Sequence, residues 1–90
     1  MGDVAREIET RLMAALAPAR LDVIDDSEKH RGHAGHDGRG ESHFTVVIEA
    51  QAFAGMSRVA RQRAVYAALG QMMQARVHAL AIRATAPGEA

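Results

Sequence analysis

Apolar residues recur by threes and fours near the start of the chain, where Val4, Ile8, Leu12, Ala15 and Leu16 line one side of a helix. Asp3 is placed to cap it and Pro18 to stop it. From Arg20 the pattern shortens to LDVID, a brief strand rich in β-branched residues that runs into Asp25, Asp26, Ser27 and a glycine-rich stretch. HFTVVIEA then alternates: Phe44, Val46 and Ile48 point one way, His43, Thr45, Val47 and Glu49 the other. After QAFAG, Ser57 suits the N-cap of a second helix reaching about Ala75, with Val59, Tyr66, Leu69 and Met73 as its apolar stripe and Arg58 and Arg61 on an exposed flank. A last strand, VHALAIRA, ends before Pro87. The order helix, strand, strand, helix, strand predicts an α+β fold, with a three-stranded sheet packed by helices on one face. The first two strands can pair as a hairpin, and the second and third, joined through a helix, can lie parallel.

Ninety residues suffice for one compact domain, residues 1–90, with a core over about 3–86 and a flexible glycine-rich connection at 28–42. A deep enzyme cleft is hard to build at this size. The chain has no cysteine, which excludes a disulfide framework, a cysteine nucleophile and thiolate ligation of a metal by its own side chains. No apolar run is long enough to span a bilayer, and MGDVAREIETRL carries charges where a signal peptide would have its apolar core, so a cytoplasmic protein is expected. Net charge is zero but segregated: residues 1–49 hold ten acids and six bases, and residues 50–88 hold five arginines and no acid. A basic surface on the second half would suit phosphate or an acidic protein.

Four of the five histidines fall in HRGHAGHDGRGESH, from His30 to His43. His30, His33 and His36, spaced by three among glycines, read equally as metal ligands or as a solvated connection. They do not read as a phosphate cradle, because no strand-to-helix turn with the required glycine pattern follows. Asp25, Asp26, Ser27 and Ser42 form a hydrolase constellation only if the lack of a pocket is ignored, so no enzyme is expected. Arg58, Arg61 and Arg63 at the front of the second helix, with Arg76 and Arg83, could contact nucleic-acid phosphates without reading sequence. The one G-x-x-G, Gly32 to Gly35, lies between strands, where a KH-type backbone clamp would need it between helices. Tyr66 and the two phenylalanines occupy positions that suggest packing. His78 shares strand parity with Leu80 and Ile82, which reads most simply as a core histidine satisfied by a backbone partner.

DDSEKH, GESHF, FAGMSRVARQRAVYAAL and VHALAI, in that order, resemble the BolA family over nearly the whole chain. The most specific pieces are F-x-G-x-S at Phe53, Gly55 and Ser57, R-x-R at Arg61 and Arg63 with Tyr66, and H-A-L-A-I from His78. The family often reads R-H-R in the helix, and Gln62 stands between the arginines here. The resemblance implies a class II KH-like fold and two roles. One is an adaptor that binds a monothiol glutaredoxin and shares a [2Fe-2S] cluster with it, glutathione being supplied on the partner's side, in iron–sulfur trafficking or iron regulation. The other is a DNA-binding transcriptional regulator using the basic helix 57–75. In the first role His78 and a second histidine would ligate iron: counting from DDS points to His30, counting back from SHF to His33, and His43 is a further candidate. Imidazole in place of thiolate would raise the cluster's potential and make its release sensitive to pH. Alone, the chain is expected to be a monomer or a weak homodimer without a cofactor.

Overall fold

A computed structural model describes residues 2–26 and 43–89. Its elements are α1 (Asp3–Leu16), β1 (Arg20–Asp25), β2 (His43–Glu49), a 3-10 turn (Gln51–Phe53), α2 (Arg58–Leu69), α3 (Met72–Ala75) and β3 (Ala79–Thr85). No helix among the described residues is long and apolar enough to cross a membrane.

In α1, Val4, Ala5, Ile8 and Leu12 are buried, as the three-and-four spacing requires, while Ala15 faces solvent. Gly2, not Asp3, is the N-cap, and no side chain caps this end. Asp3 is one residue further in, within the first turn, where its carboxylate still meets the positive end of the helix dipole. The helix ends on Ala17, which takes the left-handed conformation (φ 44°) so that its N–H reaches the Met13 carbonyl at 3.1 Å, and Pro18 prevents continuation.

The sheet has the order β1-β2-β3. β1 and β2 are antiparallel, with Val23 opposite Val46, and β2 and β3 are parallel, with Val46 opposite Ile82. The chain returns to β3 through two helices, as a parallel pair demands. Phe44, Val46 and Ile48 are buried against Ile8, Leu12, Phe53, Val65 and Leu69, while alternate β2 residues lie on the face away from the helices. This is the α+β arrangement the patterning predicts, with helices over one side of the sheet.

The F-x-G-x-S signature has a structural basis. Phe53 is fully buried, Gly55 takes a positive φ (79°) that turns the chain, and the Ser57 hydroxyl accepts the Ala60 N–H at 3.1 Å to start α2. α2 does not run to Ala75. It stops at Leu69, because Gly70 takes φ 58° and closes the last turn onto the Tyr66 carbonyl, and α3 then restarts. Its stripe also differs from the predicted one. Val65, Leu69 and Met72 are buried and Met73 is half-buried, whereas Val59 and Tyr66 are 58% and 40% exposed. Ala64 and Ala68 on the inner side pack against the core, and such small residues do not announce a buried face by their hydrophobicity.

Candidate functional site

β3 begins two residues later than the apolar pattern suggested, and this decides where His78 goes. Val77 is buried, its N–H bonded to the Met72 carbonyl at 3.0 Å, and the ladder starts only at Ala79, paired with His43. His78 sits between that anchor and the strand, so no sheet pairing holds it to the inward parity of Leu80 and Ile82. It is exposed, and it makes no hydrogen bond to a described residue. The core reading of His78 is therefore corrected.

Its ring stacks on that of His43, with centroids 5.1 Å apart and planes 29° from parallel. His43 opens β2 on the face away from the helices and is fixed from its other side: Asp26 donates its backbone N–H to the His43 carbonyl at 2.7 Å, and the Thr45 hydroxyl donates to the Asp26 carboxylate. Two histidines 35 positions apart thus meet at the start of adjacent parallel strands. An imidazole nitrogen binds a metal at about 2.0–2.1 Å, so two rings on one tetrahedral ion have centroids roughly 5 Å apart. The centroid spacing and the donor chemistry suit two ligands to one ion, and the stacked rings have to turn for both nitrogens to face it. No group of three or more histidine, aspartate or glutamate side chains forms a metal cage among the described residues. His30, His33 and His36 lie outside the described residues.

The arginines divide differently from the prediction. Arg61 does not belong to an exposed flank: its side chain is 12% exposed and every guanidinium nitrogen is engaged. Nε donates to the Met56 carbonyl at 3.0 Å and Nη1 to the Ala84 carbonyl at 3.1 Å, while Nη1 and Nη2 grip the two Glu89 oxygens at 2.5 and 2.7 Å. Glu89 also accepts the Ala86 N–H at 3.0 Å. The Arg61 guanidinium, followed by that N–H, holds the Glu89 carboxyl down at about 2. Arg76 meets Glu7 at 3.1 Å, and Glu7 also pairs with Arg11 at 2.9 Å. The acid-free second half is thus partly neutralised by acids from outside it. Arg58, Arg63 and Arg83 are exposed and pair with no described acid. Tyr66 does not pack inward as expected, and with Val59 it extends an exposed apolar strip between Arg58 and Arg63.

The residue pattern alone did not bring His43 and His78 together; only the family resemblance did, with His43 as one of three candidates to join His78. Strand parity spoke against it, and only the late start of β3 reverses that. The clasp on Arg61 was missed because its acid is 28 positions away.

A family model described as BolA-like protein matches residues 12–89. An uncharacterized protein in cobS 5'region of Sinorhizobium sp is 53% identical over 91% of this chain and 89% of its own length. The DNA-binding transcriptional regulator BolA of Escherichia coli (strain K12) is 38% identical over 88% of this chain and 71% of its own. Among solved structures, the BolA domain of SufE1 from Arabidopsis thaliana superposes with a TM-score of 0.87 at 39% identity, covering 100% of this chain and 99% of that one. The chain spans 89% of one curated relative but only 25% of another, so it corresponds to nearly the whole of some and to one part of others.

Proposed function

This chain belongs to the BolA-like family, and from that premise we propose that it is a non-enzymatic adaptor that joins a monothiol glutaredoxin and contributes histidine ligands to a [2Fe-2S] cluster held between the two proteins. The observation that carries the reading is the stacked pair of His43 and His78 on an exposed end of the sheet. A chain without cysteine can offer iron no thiolate, and two imidazoles on one iron are an established ligand set for a [2Fe-2S] centre. The remaining ligands are thiolates from the glutaredoxin and its glutathione. His78 is the fixed donor, because Val77 anchors the chain beside it. The second donor is His43, already at ligand spacing, with His30 and His33 as the competing positions.

The chemistry follows from the donors. A neutral imidazole holds iron less firmly than a thiolate and can be displaced by a proton, so the cluster is cargo to be passed on. The test is reconstitution of the cluster with this chain, a monothiol glutaredoxin and glutathione, followed by visible absorbance and circular dichroism. His78→Ala should abolish the mixed-complex spectrum, and separate alanine substitutions at His43, His33 and His30 identify the second ligand. Survival of the spectrum in the His78 variant refutes the assignment.

A second reading, DNA-binding transcriptional regulation, is favoured by the exposed Arg58 and Arg63, which pair with no described acid, and by the name of the Escherichia coli relative. It now lacks Arg61. A gel shift whose affinity falls steeply with salt and is lost on changing Arg58 and Arg63 to glutamate would support it.

A further inference from the structure

We propose that the thiol-bearing partner docks on the open face of the sheet, over Ile24, Thr45, Ala79 and Ala81, and not along the arginines of α2. This placement rests on the cluster reading and specifies the surface used. Iron bound by His43 lies on the side of the sheet away from the helices, because His43 shares parity with Thr45 and Val47 while Phe44 and Val46 enter the core. A protein supplying the other ligands to the same cluster must cover surface continuous with those rings.

The strand register lays that surface out in rows. Beside the histidines stands Ala79, opposite His43, and the next row is Ile24, Thr45 and Ala81. That row is uncharged, both alanines are exposed, and Ile24 leaves 45% of its surface in water. Small side chains on β3 let a partner's backbone approach, and the isoleucine offers it an apolar anchor. The Asp26 carboxylate, which accepts the Thr45 hydroxyl, borders this row, and the next charges stand in the following one, where Asp22 and Arg83 flank Val47, about 13 Å along the strand from His43. Small and apolar side chains beside the ligands, with a hydrogen-bonded carboxylate at their edge and further charge beyond, suit a protein interface. Asp22 is already paired with Arg20 at 2.9 Å, whereas Arg83 has no described acid partner. The partner's surface should therefore keep acids away from Asp26 and carry one towards Arg83.

The flank of α2 bearing Arg58 and Arg63 belongs to the helical layer, on the other side of the sheet from His43. A partner seated there would not adjoin the rings.

The test titrates this chain with a monothiol glutaredoxin and glutathione under reconstitution conditions, reading affinity from visible circular dichroism and fold from the far ultraviolet. Ala81→Arg and Ile24→Lys should each weaken the complex by roughly tenfold or more, because a long charged side chain is forced into the interface centre. The complex that still forms should keep its spectral shape, since no ligand is touched. Arg83→Glu should give a smaller, salt-sensitive loss. The double variant Arg58→Glu, Arg63→Glu should bind within about twofold of the parent. If Ala81→Arg fails to fold, Ile24→Lys, at a position already in water, carries the test. Parent-like affinity in a folded Ile24→Lys or Ala81→Arg protein, or a larger loss in the double arginine variant, overturns the placement while leaving the cluster reading intact. Failure of the parent chain to form any coloured complex overturns both.

Discussion

The inner side of α2, where it meets the end of β3, and the open end of the sheet hold polar groups in opposite states. On the helical side Arg61, the first arginine of the R-x-R signature, is used up: two carbonyls and one carboxylate occupy it, and it ties the start of α2 to the end of β3. On the sheet side His78 is hydrogen-bonded to no described residue and its ring stacks on another imidazole. A polar group saturated by its own chain supports the fold. One held in place but left unsaturated is available to a ligand.

The sharpest way to break this comparison is to remove one member from each side. His78→Ala should eliminate the mixed-cluster spectrum while leaving the thermal midpoint nearly unchanged; Arg61→Ala should do the reverse, lowering the midpoint because it strands the Met56 and Ala84 carbonyls and the Glu89 carboxylate. Cluster spectra and thermal melts on both variants decide it, and loss of the spectrum in the Arg61 variant at a temperature where it is folded would count against the distinction. Next comes β2 itself, whose two sides can be compared within one strand. Ile48→Ala, on the fully buried side, should cost about 2–5 kcal/mol in denaturant unfolding, and Val47→Ala, on the open side, under about 1 kcal/mol. Similar costs would mean that the open face is packed after all.

Ser57→Ala removes the acceptor for the Ala60 N–H and should cost about 1 kcal/mol, with Ser57→Asp restoring most of it. The smallest effect concerns the clasp on Arg61. Glu89 has its carboxyl lowered in the folded chain, so the stability it adds is complete above its ordinary value of 4.5 and is lost as pH falls towards about 2. Acid melts should therefore show a parent-minus-Glu89→Gln difference that is constant above pH 5 and vanishes at the acid end. High salt should shrink it, because the acid is partly exposed. A difference that grew on acidification would contradict the sign.

Much of the fold was legible because its determinants are local. The alternation of β2 fixed which side of the sheet is buried, and Phe53, Gly55 and Ser57 encode anchor, turn and cap within five residues. α2 was legible as a helix but not in its end or its facing. Gly70 stops it through a backbone angle, and alanines line its inner side, so the larger Val59 and Tyr66 drew the stripe outward. The site was legible as residue types only. His43 and His78 meet through a register between strands far apart in sequence, and the partners of Arg61 and Arg76 are acids from remote segments. Charge counted along the chain is not charge counted over a surface.

The parallel pairing of β2 with β3 has a consequence for how this small domain can vary. Because both strands run the same way, their starts share one edge of the sheet, and the ladder that begins at His43 and Ala79, with the Val77 anchor just ahead of it, brings the two imidazoles together. Chain inserted into or deleted from the connection ahead of β2 changes neither the ladder nor the contact. The spacer is free to drift in length and wording while the donor pair keeps its gauge.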